Sequence, residues 1–600
     1  MGKTIHIGGA SGFWGDSPVA TPQLLAAGHL DYIVYDYLAE ITMSIMARAY
    51  QADPMAGYAT DFVTAVMKSH LTTIAAKGVK IISNAGGVNP EACGAAVQAL
   101  IKDAGLNLKV AVVSGDNLLS QKEKYAANMR EMFSGTEFPA QDKLASINAY
   151  LGAFPIAAAL DAGADIVITG RSVDSAVTLG ACIHEFGWSP DDWDALAGGS
   201  LAGHIIECGP QATGGNFTDW EQAGDLADIG YPIVEISDDG SFVCRKPDNT
   251  AGLVSVGTVA EQMLYEIGDP QAYMLPDVVC DFSGVTITQI GQDRVQVSGA
   301  RGRQAPPSYK VCATYFEGFR GGVLLSFVGR AADRKAQHYA DQIIARCRTA
   351  FRNANQADFT EVSTEVLGAN SQYGEAVGGD HREVVLKLAV KHEDARGVGL
   401  MLKEATGLAL ATPPGLSIFA GARPKPSPVV RLYSFLLDKG EVDIAITLDG
   451  TPMTFAVPDF GQKTSDGPAT MPTPTRPAAY DDADADLVEL DLEDLAWGRS
   501  GDKGNKSNIG IIARDAAYLP YIWHSLSEAV IRARFGHFLA AGSAIDIYYL
   551  PGAHAMNIVM HEALGGGGVA SLRNDPQGKA YAQILLDQKI AVPRSIAENL

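Results

Sequence analysis

The stretch TIHIGGASGFWGD, Thr4 to Asp16, runs an alternating apolar segment straight into a glycine-rich turn that ends on an acid. Alternation at period two marks a strand, and glycine allows the sharp turn that follows. The same order recurs in YIVYD (Tyr32–Asp36), VKIISNAGG (Val79–Gly87), KVAVVSGD (Lys109–Asp116) and DIVITGRSVD (Asp165–Asp174). Helix-like patterns lie between them, at Ala39–Tyr50, Pro90–Ala104 and Asn148–Ala162. Strands alternating with helices predict βαβ units. Residues 1–250 are therefore expected to form an α/β domain with a doubly wound, largely parallel sheet.

Beyond Ala251 the texture changes. RVQVSGARG, YKVCATYF, VLLSFVG and VVLKLAV read as strands around a long helix near Ala331–Arg352, so residues 251–460 are expected to form an α+β domain. Residues 461–486, GQKTSDGPATMPTPTRPAAYDDADAD, carry prolines and acids and little that could be buried, which predicts a semi-extended linker. The remaining residues, 487–600, order as strand, glycine-rich loop, strand, helix (Ile522–Phe538), strand and helix. That order predicts a small ferredoxin-like α+β domain.

The chain holds 600 residues with 46 basic and 69 acidic side chains, a formal charge of −23. Such acidity, without any Lys/Arg patch, argues against nucleic acid and against an anionic membrane as partners. No apolar run approaches the ~20 residues of a membrane helix. Seven cysteines are scattered without a C-x-x-C pair, the usage of reduced thiols, and a cytoplasmic location is expected. An even-numbered homo-oligomer is expected from the prevalence of twofold symmetry among soluble enzymes.

In an open parallel sheet, ligands bind beyond the C-terminal ends of the strands. That rule gathers Ser11, Asp16, Asp36, Asn84, Gly86, Gly87, Asp116, Arg171 and Asp174 into one cleft. Gly9, Gly12 and Gly15 also follow the G-x-x-G-x-x-G spacing of a dinucleotide loop, with Asp36 ending the next strand. Bulky Phe13-Trp14 and the negative Asp16 oppose a phosphate there.

GHIIECGPQATGGN, Gly203 to Asn216, is the other chemical stretch. On a helix, His204, Glu207 and Cys208 share one face, which suits a general acid–base pair. It also suits two or three metal ligands completed by His184 or Glu185; whether a metal is present stays open. A half-buried helix end with a satisfied histidine fits the same spacing. Gln211 to Asn216 form a polar loop whose Gly214 and Gly215 amides are candidate oxyanion donors. In the tail, AWGRSGDKGNKSN offers Arg499, Lys503 and Lys506 to a phosphate or carboxylate.

The runs GGASGFWGD, ISNAGGVNP, NAYLGAFPIAAALDAGADIVITGRSVDSA, GHIIECGPQATGGNFTDW, YPIVEI and YEIGDPQAYMLPDV resemble the acyclic terpene utilisation (AtuA) family. The tail LEDLAWGRSGDKGNKSNIGIIAR with HEALGGGG is similar to the ferredoxin-like domain that accompanies it. The resemblance implies a place beside the breakdown of citronellol, geraniol and related branched acids as CoA thioesters. It puts motif positions on Ser11, Asp16, Asn84, Asn89, Arg171, Asp174, His204, Glu207, Gln211 and Asn216. In the tail it marks Arg499, Ser500, Asp502, Lys503 and Asn508.

The expectation is a lyase or hydratase acting on a carboxylate or acyl-CoA thioester, with CoA entering as part of the substrate. His204 and Glu207 would move protons, Arg171 would hold a carboxylate, and Asp174 or Asp116 would orient the substrate. Two other readings stand beside it: a non-catalytic acyl-CoA binding or assembly subunit, and an NAD(P)-dependent oxidoreductase.

Overall fold

A computed structural model describes residues 2–374, 379, 381–419, 421, 424–460, 472–478, 480, 486–568 and 570–600. The first strands are β1 (Thr4–Gly9), β2 (Tyr32–Tyr35), β3 (Lys80–Ser83), β4 (Val110–Ser114), β5 (Leu144–Ala149) and β6 (Ile166–Thr169). β1, β2, β3, β6 and β4 lie side by side in that order, each parallel to the next. Their side chains are buried on both faces. Tyr32, Val34, Ile82 and Val167 join one core, while Ile33, Ile81 and Ile168 join the other. Strands buried on both faces are expected of a parallel sheet.

The whole sheet is mixed. Antiparallel strands extend the parallel set at both edges: Ile233–Ser237, Phe242–Arg245, Arg294–Ser298 and Thr286–Gly291 beyond β1, and Ala445–Leu448 with Thr451–Met453 beyond β4. The chain therefore does not part at residue 250, because strands from either side of it share this sheet. Asn148–Ala162 also differs from expectation. Its start belongs to β5, which pairs with the 21-residue strand Ser308–Val328, and the helix covers only Phe154–Asp161. The long strand also pairs with Glu383–His392 and Ser427–Asp438, forming a second, antiparallel sheet. Helices Ala332–Asn353 and Ala395–Gly407 pack on it.

The C-terminal domain is a four-stranded antiparallel sheet of Ala496–Lys503, Lys506–Ala513, Ala555–Met560 and Ile545–Leu550, in that spatial order. The expected helix Ile522–Phe538 is two helices, Leu519–Ser525 and Glu528–Phe535, parted by Leu526-Ser527. Ile509, Ile511, Met556 and Ile558 face the domain's own core. Ile512, Leu550 and Ala555 face the other way and join the core of the large α/β part. In the linker, residues 461–471, 479 and 481–485 lie outside the described residues, and 472–478 form no regular element. The described linker residues run along the C-terminal domain, with Pro477 O 3.2 Å from His524 Nε2 and the tilted Tyr480 ring centred 4.5 Å from that of Tyr521. Among the described residues no helix is long and apolar enough to cross a membrane.

Candidate functional site

The five parallel strands end along one edge, and the helix Trp193–Ile206 terminates over it. Glycines let it come that close. A Cβ on Gly9 would lie 2.5 Å from Ile206 O, one on Gly12 2.9 Å from Cys208 Cα, and one on Gly203 2.9 Å from Ser175 Cα. Gly9 and Gly12 are thus required small because the Ile206–Cys208 backbone passes directly over them. Gly86 packs in the same way against Thr169 O and Pro90, and Gly87 against Met46 and Gly57.

His204 lies in the last helical turn, where the dipole favours a cation. It is 1% exposed, and Glu207 is 8% exposed. Nδ1 lies 3.1 Å from Glu207 Oε1, close enough for an ion pair though off the line of a hydrogen bond. The other ring nitrogen, Nε2, is buried without a partner among the described residues. Burial works to depress the imidazole, but the Glu207 carboxylate outweighs it and the pKa of His204 is raised. Burial likewise raises Glu207, against the pull of His204. Gln262 Nε2 donates to His204 O at 3.1 Å and fixes the helix end.

Arg171 is buried beneath this pair. Its guanidinium donates to Leu38 O at 2.8 Å and Asp174 Oδ1 at 3.1 Å, and stacks 4.2 Å from the centre of the Tyr150 ring. Asp36 accepts from Asn84 Nδ2, and burial, then Asp174, push its carboxyl well above the ordinary range. Asp116 has a bracing role: it accepts from Asn148 Nδ2 at 2.7 Å and from the Arg171 amide at 3.0 Å. Burial raises its carboxyl to about 6.

Other expected residues are engaged by the protein itself. Ser11 Oγ donates to Asp36 O at 3.0 Å, and Asp16 accepts from Gly12 N at 2.9 Å and Tyr231 OH at 3.1 Å. The amides of Gly214 and Gly215 both point to Pro210 O, so that turn closes on itself rather than offering oxyanion donors. Gln211 Oε1 is buried without a partner among the described residues.

Tail residues divide into two groups. Arg499 donates to Asn216 O at 2.8 Å, Ser500 Oγ to Lys579 O at 3.1 Å, and Asn508 Nδ2 to Leu264 O at 2.7 Å. Together with Asn557, which donates to Ile267 O at 2.8 Å, Arg499 and Asn508 sew the C-terminal domain to the α/β part. Asp502 and Lys503 instead join an ion-pair cluster around Glu266 and Lys579. Lys503 Nζ lies 3.0 Å from Glu266 Oε2, Lys579 Nζ lies 2.8 Å from Glu266 Oε1, and Asp502 lies 3.2 Å from Lys579. The Lys503 charge acts on Tyr273, Asp174 and Glu207.

Tyr273, Glu266 and Lys579 escape sequence reasoning. The Tyr273 ring centre sits 5.9 Å from that of His204. Glu266 holds a left-handed backbone, φ 59°, with its amide donating to Asn508 Oδ1 at 3.0 Å. No spacing rule links a strained glutamate to lysines in another domain.

The expected fourth metal ligand does not come from His184 or Glu185. Glu185 accepts from Lys3 Nζ at 2.5 Å and Tyr32 OH at 2.6 Å, at the starts of β1 and β2, the opposite edge of the sheet. Among the described residues no group of three or more His, Cys, Asp or Glu side chains is placed to hold a metal ion. The seven cysteines are unpaired.

Comparison with known proteins agrees with this architecture. Residues 490–591 match the family model of the AtuA ferredoxin-like domain. Searches of curated proteins and of solved structures gave no match. Residues 5–448 match the model described as acyclic terpene utilisation family protein AtuA, and the chain belongs to that family.

Proposed function

We propose that this protein is an enzyme of acyclic terpenoid or branched-chain acid breakdown, a lyase or hydratase acting on a carboxylate or its CoA thioester. One observation carries the reading: a buried imidazole with a carboxylate at Nδ1 and, among the described residues, no partner at Nε2. A buried polar atom left unpaired costs about 1–3 kcal/mol, so such an atom marks where a ligand completes the site. A histidine whose second nitrogen is steadied by an acid is suited to take and return a proton near neutral pH.

Addition of water to a conjugated acid, or cleavage beside a tertiary alcohol, needs one proton moved at carbon and one at oxygen. In this reading His204 moves the first through Nε2. Glu207 holds the imidazolium while it exists. Its Coulombic support rises with the charge on the ring and so favours the transition state over the ground state. Lys503, acting on the same pair, favours an anionic substrate. Deep burial of both groups supports an enzyme over a carrier, since a docking surface has no use for an acid–base pair withdrawn from water.

The test is turnover. Purified protein is incubated with branched 3-methyl-2-enoyl and 3-hydroxy-3-methyl acids and their CoA thioesters, and products are read by mass spectrometry. Mass change by wild type, lost in His204→Gln, is the expected result. Binding without turnover in wild type would overturn it and leave the carrier reading.

A further inference from the structure

Two cations compete for the role of holding the substrate's anionic group, and the geometry separates them. Arg171 is the obvious choice on the strand edge, yet it is 4% exposed and its guanidinium is committed to Leu38 O, Asp174 and the Tyr150 face. Its Nε has no partner among the described residues. The void that Arg171 lines with Glu40, Asn148 and Cys312 is about 10 Å³, room for about one water. Glu40, held ionised near a pKa of about 2 with Lys310 and Arg171 overcoming its burial, further neutralises that side. No substrate carboxylate fits there.

Lys503 is placed differently. It ends the strand Ala496–Lys503, and 46% of its side chain is exposed. Glycine brings that strand in: a Cβ on Gly501 would lie 2.7 Å from both Tyr265 and Glu266, and one on Gly510 2.5 Å from Leu264. The ammonium rests on Glu266, which it shares with Lys579, so one carboxylate serves two cations. A lysine has three donors, and Glu266 takes one of them. Glu266 follows shortly after Gln262, whose Nε2 donates to His204 O at 3.1 Å, and the Lys503 ammonium is electrostatically coupled to Glu207.

We infer that Lys503 of the C-terminal domain, rather than Arg171, is the cation that receives the substrate's carboxylate, so the site is complete only with that domain docked. This assignment rests on the acid–base reading of His204 for its place in a reaction, but its binding test does not. The ligand it calls for is a carboxylate carried near the reacting carbon. Glu266 is a positioning residue, acting through Lys503 and Lys579.

Isothermal titration of the full chain with 3-methylglutarate and with its uncharged dimethyl ester tests the assignment. Wild type is expected to bind the diacid and not the ester. Lys503→Met should weaken diacid binding roughly 10- to 100-fold, the loss expected of one charge-assisted hydrogen bond. Lys503→Arg should retain most of the affinity. Glu266 keeps Lys579 in all variants, and an unchanged melting temperature certifies the fold. Absence of diacid binding by wild type, or equal affinity in Lys503→Met, overturns the inference. The same titration on His204→Gln separates the two claims. Lys503-dependent binding by a wild type that turns over none of the acids or thioesters would refute the enzymatic reading alone, whereas turnover indifferent to Lys503→Met would refute this one.

Discussion

Two histidine–carboxylate pairs occupy opposite edges of the same sheet. At the C-terminal edge His204 meets Glu207 at 3.1 Å, with side chains 1% and 7% exposed. At the other edge His184 meets Asp161 at 2.6 Å, with side chains 20% and 66% exposed. By distance alone the second pair is the better one. The difference is water: an exposed pair is screened and contributes about 0–1 kcal/mol, whereas groups withdrawn from water act on each other's protonation. Proximity of an imidazole to an acid is therefore common, and burial with an open valence on the far nitrogen is what sets His204 apart.

The comparison breaks most sharply on rate. His204→Gln should lower turnover ~10²–10⁴-fold, the usual contribution of general acid–base catalysis, while His184→Gln should leave it unchanged. A steady-state assay on any substrate found by the panel decides this, and equal losses at the two histidines would end the distinction.

Stability gives the next largest contrast. Glu207→Ala breaks a buried pair and, at a pH low enough to keep His204 charged, should cost about 3–5 kcal/mol. Asp161→Ala should cost about 1 kcal/mol or less. Urea unfolding of both variants checks the difference. NMR titration should find His204 raised above the ordinary imidazole value in wild type and lower in Glu207→Gln, where the strongest opposition to burial is gone.

A buried acid without a histidine sharpens the point further. Glu261 accepts from Thr218, at 3.1 Å from the amide and 2.5 Å from the hydroxyl, and burial raises it to about 7. Its folded pKa lies above its unfolded value, so the folded state binds more protons. The stability from this group is then fully present below about 4.5 and lost as pH rises to about 7. Glu261→Gln should flatten that decline and leave the protein on the order of 1–3 kcal/mol more stable at pH 8, at roughly 1.4 kcal/mol per pKa unit. Stability that rises with pH across this window in wild type, and is unaltered by the substitution, would contradict it.

The parallel strands were legible because burial on both faces leaves continuous apolar runs: Tyr32–Tyr35 is a strand as expected, and the others agree within one residue at either end. The strand order put Asp36, Asn84, Asp116, Arg171 and Asp174 on one edge, where the structure brings them into contact. The glycines were harder to read. Gly9, Gly12 and Gly86 looked like a ligand cradle, but each is small because another backbone passes over it, and a sequence does not show what lies overhead. The partnership of Lys503 with Glu266 was also hidden, since it depends on how the C-terminal sheet turns Ile512 and Ala555 inward. A proline-rich linker suggested a tethered domain. The hydrogen bonds of Arg499, Asn508 and Asn557 instead make it part of the same body.

Isotope exchange tests the acid–base pair most directly, because it needs no net reaction. Wild type and His204→Gln are incubated in D₂O with 3-methyl-2-enoyl and 3-hydroxy-3-methyl acids and their CoA thioesters, and deuterium in the recovered compound is read by mass spectrometry. Incorporation by wild type that vanishes in His204→Gln is the predicted result. Incorporation at equal rates in both proteins, or in neither, would contradict the assignment of His204 and Glu207 as the groups that move the proton.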